Sequence, residues 1–150
     1  MYDLIKYVHV LAAITWVGGA FYAQMLALQI QRSNDPGDIP KFGRHVEYIG
    51  TRVFLPASII LFVAGAILVG QRWSFSQAWV SIAIVLWLLS VLAGAVYLGP
   101  RMKRIGELFA AEGPSSVAAR SLLDRLFLVS RLELVSFVVI VFLMVVKPGV

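Results

Sequence analysis

Four separate apolar stretches, each near the ~20 residues a helix needs to cross a bilayer, lie within 150 residues. The first runs from about Leu4 to Leu28, interrupted by Lys6, His9 and Gln24. The others cover about Val53 to Val69, Ala78 to Leu98, and 127–146. A backbone in hydrocarbon must satisfy its own hydrogen bonds, so runs of this kind fold as helices. The expectation is an all-α, four-transmembrane-helix antiparallel bundle, a single integral membrane domain over residues 1–150, with no room for a second one. Composition agrees. Hydrophobic residues make up 60% of the chain and charged residues 14%, against ~45–50% and ~25% in soluble domains. A disordered chain is excluded, and an ordinary soluble enzyme is disfavoured. The chain has no cysteine, which removes disulfides, thiolate metal sites and a cysteine nucleophile. The first run is too long for a signal-peptide core and has no basic segment before it, so it counts as a span.

The breaks between spans are marked by turn residues. Asn34-Asp35-Pro36-Gly37 and Asp38-Ile39-Pro40 separate the first two helices, with Asp38 as the expected N-cap. Helix two is expected to begin near Lys41. Phe42, Val46, Ile49 and Val53 recur on one face, opposite Arg44, Glu47 and Arg52. Pro56 predicts a kink. Gln71-Arg72-Trp73-Ser74 is a short connection, and Gly99-Pro100 is expected to end the third span. Gly113-Pro114-Ser115-Ser116 precedes the last helix, with Ser115 or Ser116 as its cap, and Lys147-Pro148 stops it.

Orientation follows from the basic residues. Arg32, Lys41, Arg44, Arg52, Arg101, Lys103, Arg104, Arg120 and Arg125 flank the first and third connections. Only Lys6, Arg72 and Lys147 lie at the other ends, with Arg131 near the boundary. Nine against three predicts both termini outside and the two longer loops in the cytoplasm. The net charge of +5 is explained by loop charge and anionic lipid, with no call for nucleic acid.

His9 is the most informative residue, because an ionisable group inside a span is costly unless paired or functional. Ala12, Ala13, Trp16, Gly19, Ala20 and Ala23 share its face. Two readings stay open. Thr15-xxx-Gly19-xxx-Ala23 can serve close helix packing. Small residues beside an imidazole also leave room for a flat macrocycle with His9 on its iron, the bland alternative for the histidine being a hydrogen bond to a neighbouring helix. Met144, at a comparable depth on the last helix, is either a thioether ligand or a packing residue. His45 lies on the opposite side and reads as interfacial. Trp16, Trp73, Trp79 and Tyr2 read as interfacial anchors. Arg52 with Glu133, or Arg131 with Glu47, are expected to form interhelical pairs, although a proton path is the functional alternative. No phosphate loop, metalloprotease pattern or nucleophile elbow is present, so nothing in the motifs establishes an enzyme.

The run Lys6-x-x-His9 followed by Trp16-Val17-Gly18-Gly19-Ala20-Phe21-Tyr22 resembles the first helix of HemJ-type protoporphyrinogen oxidases and the related CopD-like membrane proteins. Pro56, Trp79, the basic exit Arg101-Met102-Lys103-Arg104, and Glu133 with the apolar run after it extend the likeness along the chain. The ending Leu143-Met144-Val145-Val146-Lys147-Pro148 looks most like an uncharacterised branch of small four-helix members. The resemblance implies a bound b-type haem with His9 as axial ligand, Trp16, Gly19 and Tyr22 lining or supporting its pocket, and Glu133 matching a family acid. Departures are also present. Ala83 stands where HemJ proteins carry a helix-three lysine, and no proline follows Glu133.

These readings lead to an inner (cytoplasmic) membrane haem b protein, redox or porphyrin-related, with His9, Trp16, Gly19, Tyr22 and Met144 as the candidate cofactor-binding set. The rivals are a HemJ-type oxidase, which the missing lysine opposes, and a cofactor-free accessory subunit of a larger membrane complex. Copper passage would need clustered Met, His or Cys ligands. Small-residue faces suggest a homo-oligomer.

Overall fold

Apolar runs of this length satisfy their backbones only as continuous helices, and four of them account for the fold. The computed structural model describes residues 1–33, 37–113 and 116–149. Helix α1 is Tyr2–Ser33. Helix α2 occupies 38–72 and comprises α-helical Asp38–Ile49, a π turn at Gly50–Phe54 and α-helical Leu55–Arg72. Helix α3 is Ala78–Glu112, with a π turn at Ala93–Leu98. Helix α4 is Val117–Val146. Among the described residues there is no strand. All four helices contain windows long and apolar enough to cross a membrane.

Helix α2 begins at Asp38, earlier than expected, with Gly37 in the capping position. The expected turn at residues 34–36 and the candidate cap Ser115 lie outside the described residues. Ser116 caps α4. Its hydroxyl accepts a hydrogen bond from the Ala119 N–H at 3.2 Å and donates one to Glu112 Oε2 at 2.5 Å. Lys147 closes α4 in the left-handed conformation, φ 47°.

Gly99-Pro100 does not end the third helix, contrary to the sequence expectation. The helix passes through it and continues to Glu112. Proline lacks an N–H and its ring crowds the preceding turn. In α3 a π turn immediately precedes Gly99-Pro100, so the proline enters as an early residue of a fresh α-helical segment. Pro56 in α2 is handled in the same way, two residues after a π turn.

Helix α1 packs along α2 and α3 packs along α4, while α1 and α4 join the two pairs. Helices α2 and α3 touch little beside their short connection and meet again at the opposite end. Two cores result. Near the end carrying both termini (the terminal end), Ala12, Trp16, Leu61, Trp79, Ala83 and Phe137 belong to one. At the opposite end Ile39, Ile105, Phe109, Ala119, Leu123 and Phe127 form the other. Large apolar side chains such as Leu11, Ile59, Val63, Leu89 and Phe142 face outward, as a bundle with a hydrocarbon solvent requires.

Candidate functional site

His9 sits about two turns into α1 and is half-buried. Its Nδ1 lies 2.9 Å from the carbonyl oxygen of Leu61 on α2. A carbonyl only accepts, so this contact assigns the proton to Nδ1 and leaves the lone pair of neutral imidazole on Nε2. The ring fits because Gly65, one turn beyond Leu61, has no side chain. A Cβ there would stand 2.9 Å from His9 Cε1 and 3.2 Å from Nδ1.

The imidazole borders a cavity of about 630 Å³ among all four helices at the terminal end. That volume lies within the ~300–1,000 Å³ of small-molecule sites. The four tryptophans of the chain all line it: Trp16, Trp73, Trp79 and Trp87. Their rings are fixed by neighbours. Trp16 packs on Phe137 with centroids 4.5 Å apart, Phe62 stacks on Trp87 at 4.3 Å, and Trp73 meets Trp79 edge-on at 5.6 Å. The indole N–H groups of Trp79 and Trp87 are buried without an acceptor. Trp16 and Trp79, expected as interfacial anchors, are 6% and 3% exposed and form core and cavity wall instead. Trp87 was not anticipated. Its signal is the spacing Trp79, Ala83, Trp87, which puts a small residue between two indoles on one helical face.

Of the residues singled out from sequence, the fold brings His9, Trp16 and Met144 together on the cavity wall. Gly19 and Tyr22 are not there. Gly19 faces α2, where the Phe54 ring occupies the space a Cβ would take. Tyr22 is 60% exposed on the outside of α1. Each step of three residues advances the face by about 300°, so the steps from Trp16 to Gly19 to Tyr22 carry Tyr22 well round from the His9 face. Ala83, at the position of the missing lysine, lines the cavity. Thr15 is exposed and donates its hydroxyl to the Leu11 carbonyl at 2.9 Å, so it takes no part in a small-residue seam inside the bundle.

Glu133 lies half-buried on α4 away from the cavity wall. It does not pair with Arg52, which is exposed on α2. Gln24, read in the sequence only as an interruption of the first run, is buried and accepts the Ser130 hydroxyl at 2.7 Å, tying α1 to α4. His45 is exposed on the far part of α2. Among the described residues no group of three or more His, Cys, Asp and Glu side chains could hold a metal ion.

The model of a family described as predicted integral membrane protein (DUF2269) matches residues 3–148, nearly the whole chain. The chain belongs to the DUF2269 family. Membership agrees with the four spans and makes it a multi-pass integral membrane protein. No curated protein and no solved structure matches it. The family description carries no cofactor or activity, so the site rests on its own geometry.

Proposed function

We propose that this DUF2269 member is a membrane haem b protein, with His9 as an axial ligand inside the four-helix cavity and a redox or porphyrin-related role. The observation that carries the reading is the hydrogen bond from His9 Nδ1 to the Leu61 carbonyl. Metal-binding histidines nearly always spend their second nitrogen in this way, which fixes the ring and its tautomer. The rest of the site is consistent with a macrocycle. One imidazole is too little for a bare ion held by protein side chains, whereas a porphyrin brings four ligands of its own. The wall is aromatic and aliphatic, and Met144 offers a thioether from α4.

Such a haem would supply a one-electron couple. The chain's own part is to bind the ring, hold the imidazole in one tautomer through Leu61 and keep water from the iron with its tryptophans. The sequence resemblance to HemJ-type and CopD-like proteins supports the same residue, His9. An oxidase reading receives less support, because Ala83 puts a methyl group on the wall where that family has a lysine.

The test is a reduced-minus-oxidised visible spectrum of protein expressed with added haem, beside His9→Ala. Soret and α bands in the wild type that vanish in the variant are expected. Bands unchanged by His9→Ala would remove the histidine from the assignment. A colourless wild type that is correctly inserted would favour the accessory-subunit reading.

A further inference from the structure

Two lysines from opposite ends of the chain line one cavity. Lys6 precedes His9 by one turn on the same side of α1, and Lys147 closes α4; both line the cavity at the terminal end. Aromatic rings of the rim lie against Lys147 and the neighbouring Arg72. Lys147 Nζ lies 4.7 Å from the centroid of Trp73, and the guanidinium carbon of Arg72 lies 4.2 Å from that of Tyr2. Tyr2 and Trp73 are themselves part of the lining. Among the described residues no carboxylate pairs with Lys6, Arg72 or Lys147, and Asp3, the acid nearest on α1, is exposed and outside the lining. The positive-inside pattern accounts for cations at the far end of the bundle. It does not account for Lys6 and Lys147, which both line the cavity, with Arg72 beside them through the ring of Tyr2.

We propose that Lys6 and Lys147 form a carboxylate clamp at the cavity mouth, so that the cavity takes an acid with an apolar body, held acid-end toward the terminal end of the bundle. The haem reading supplies the identity of that body as a porphyrin with two carboxylates; the clamp itself rests on the rim. Deeper in the cavity the wall consists of Trp87, Phe137 and Ile140, which would leave an anion unsolvated and unpaired. The acid end therefore has one favourable orientation. At the mouth an ammonium–carboxylate hydrogen bond is charge-assisted and stronger than a neutral one. The unpaired indole N–H of Trp79, in edge contact with Trp73, is a further donor in the wall.

The test uses the whole protein in nanodiscs and the quenching of its cavity tryptophans. The probes are metal-free protoporphyrin, its dimethyl ester and a bromine-labelled fatty acid, none of which contains iron. The wild type is expected to bind the porphyrin diacid about tenfold more tightly than the ester, the size of two modest ion pairs. Lys6→Gln with Lys147→Gln removes that preference, while Lys6→Arg with Lys147→Arg retains it and reports on folding. Equal binding of diacid and ester by the wild type overturns the clamp and leaves the His9 spectrum to decide the haem reading separately. Fatty-acid binding that depends on the two lysines, with no porphyrin binding, supports the clamp with a different apolar body and leaves the His9 spectrum to decide the haem reading. Quenching by none of the three probes overturns the clamp.

Discussion

At Gly65 the lack of a side chain is what allows the His9 imidazole to reach a backbone carbonyl. Gly65→Ala would press a methyl group against Cε1 and Nδ1 at 2.9 and 3.2 Å, and the ring must swing away from Leu61. The expected outcome is loss of the histidine-ligated haem spectrum, as in His9→Ala, with stability lowered by no more than the ~0.5–1.5 kcal/mol of one net hydrogen bond. Gly70→Ala is the control, because nothing lies within 4 Å of the added carbon; its spectrum should be that of the wild type. A normal spectrum in Gly65→Ala would show that the ring does not need its present seat. His9 was legible in the sequence because an ionisable residue inside an apolar run needs a partner or a function, and its bond to Leu61 is the partner on a neighbouring helix. Leu61 and Gly65 were not legible. They are ordinary residues of a span, and the contact crosses 52 positions. Gly19 entered by helical spacing as well as by motif resemblance, Tyr22 by resemblance alone, and helical rotation takes Tyr22 to the outer surface.

The two π turns carry the same logic at the level of a helix. A π turn holds one residue more than an α turn, so every residue beyond it is rotated by about 100° relative to an uninterrupted helix. In α2 the turn Gly50–Phe54 stands between the far core, where Ile39 packs, and the segment bearing Leu61 and Gly65. Deleting exposed Thr51 should restore α-helical register and turn Leu61 and Gly65 off His9. Loss of the haem spectrum in a protein that still inserts is the expected result. Thr51→Ala, which gives up only hydroxyl bonds to the Glu47 and Tyr48 carbonyls at 2.9 and 3.3 Å, should stay within ±0.5 kcal/mol of wild type and keep the spectrum. If the deletion leaves the spectrum intact, register in α2 does not set the site. These turns escaped sequence reading because Gly-Pro signals a break wherever it occurs. Whether a helix stops at Pro100 or absorbs it depends on the turn before it, and nothing in Ala93–Leu98 marks a π turn by residue type.

Across the whole bundle the two ends differ in both packing and charge. The end away from the termini closes on Phe127, Ile105 and Ala119, all 2% exposed or less, and carries most of the arginines and lysines. The terminal end surrounds the cavity, with Lys6 and Lys147 in its lining. Four spans, their antiparallel order and this charge asymmetry could be read directly, because bilayer thickness and helix rise leave little choice. The cavity could not, since it depends on which faces of four helices meet. If the charge asymmetry sets topology, the cavity opens outside and the filled end lies in the cytoplasm. The chain has no cysteine, so single replacements report cleanly. Ser76→Cys, on the exposed 73–77 connection, should react with an impermeant maleimide added to intact cells. Ala111→Cys, exposed near the far end of α3, should react only after lysis. The reverse pattern would place the His9 cavity on the cytoplasmic side, where a ligand made in the cell could enter without crossing the membrane. The expected pattern instead requires the ligand to arrive from outside or through the lipid, which makes the thin α2–α3 seam beside the cavity its natural lateral entrance.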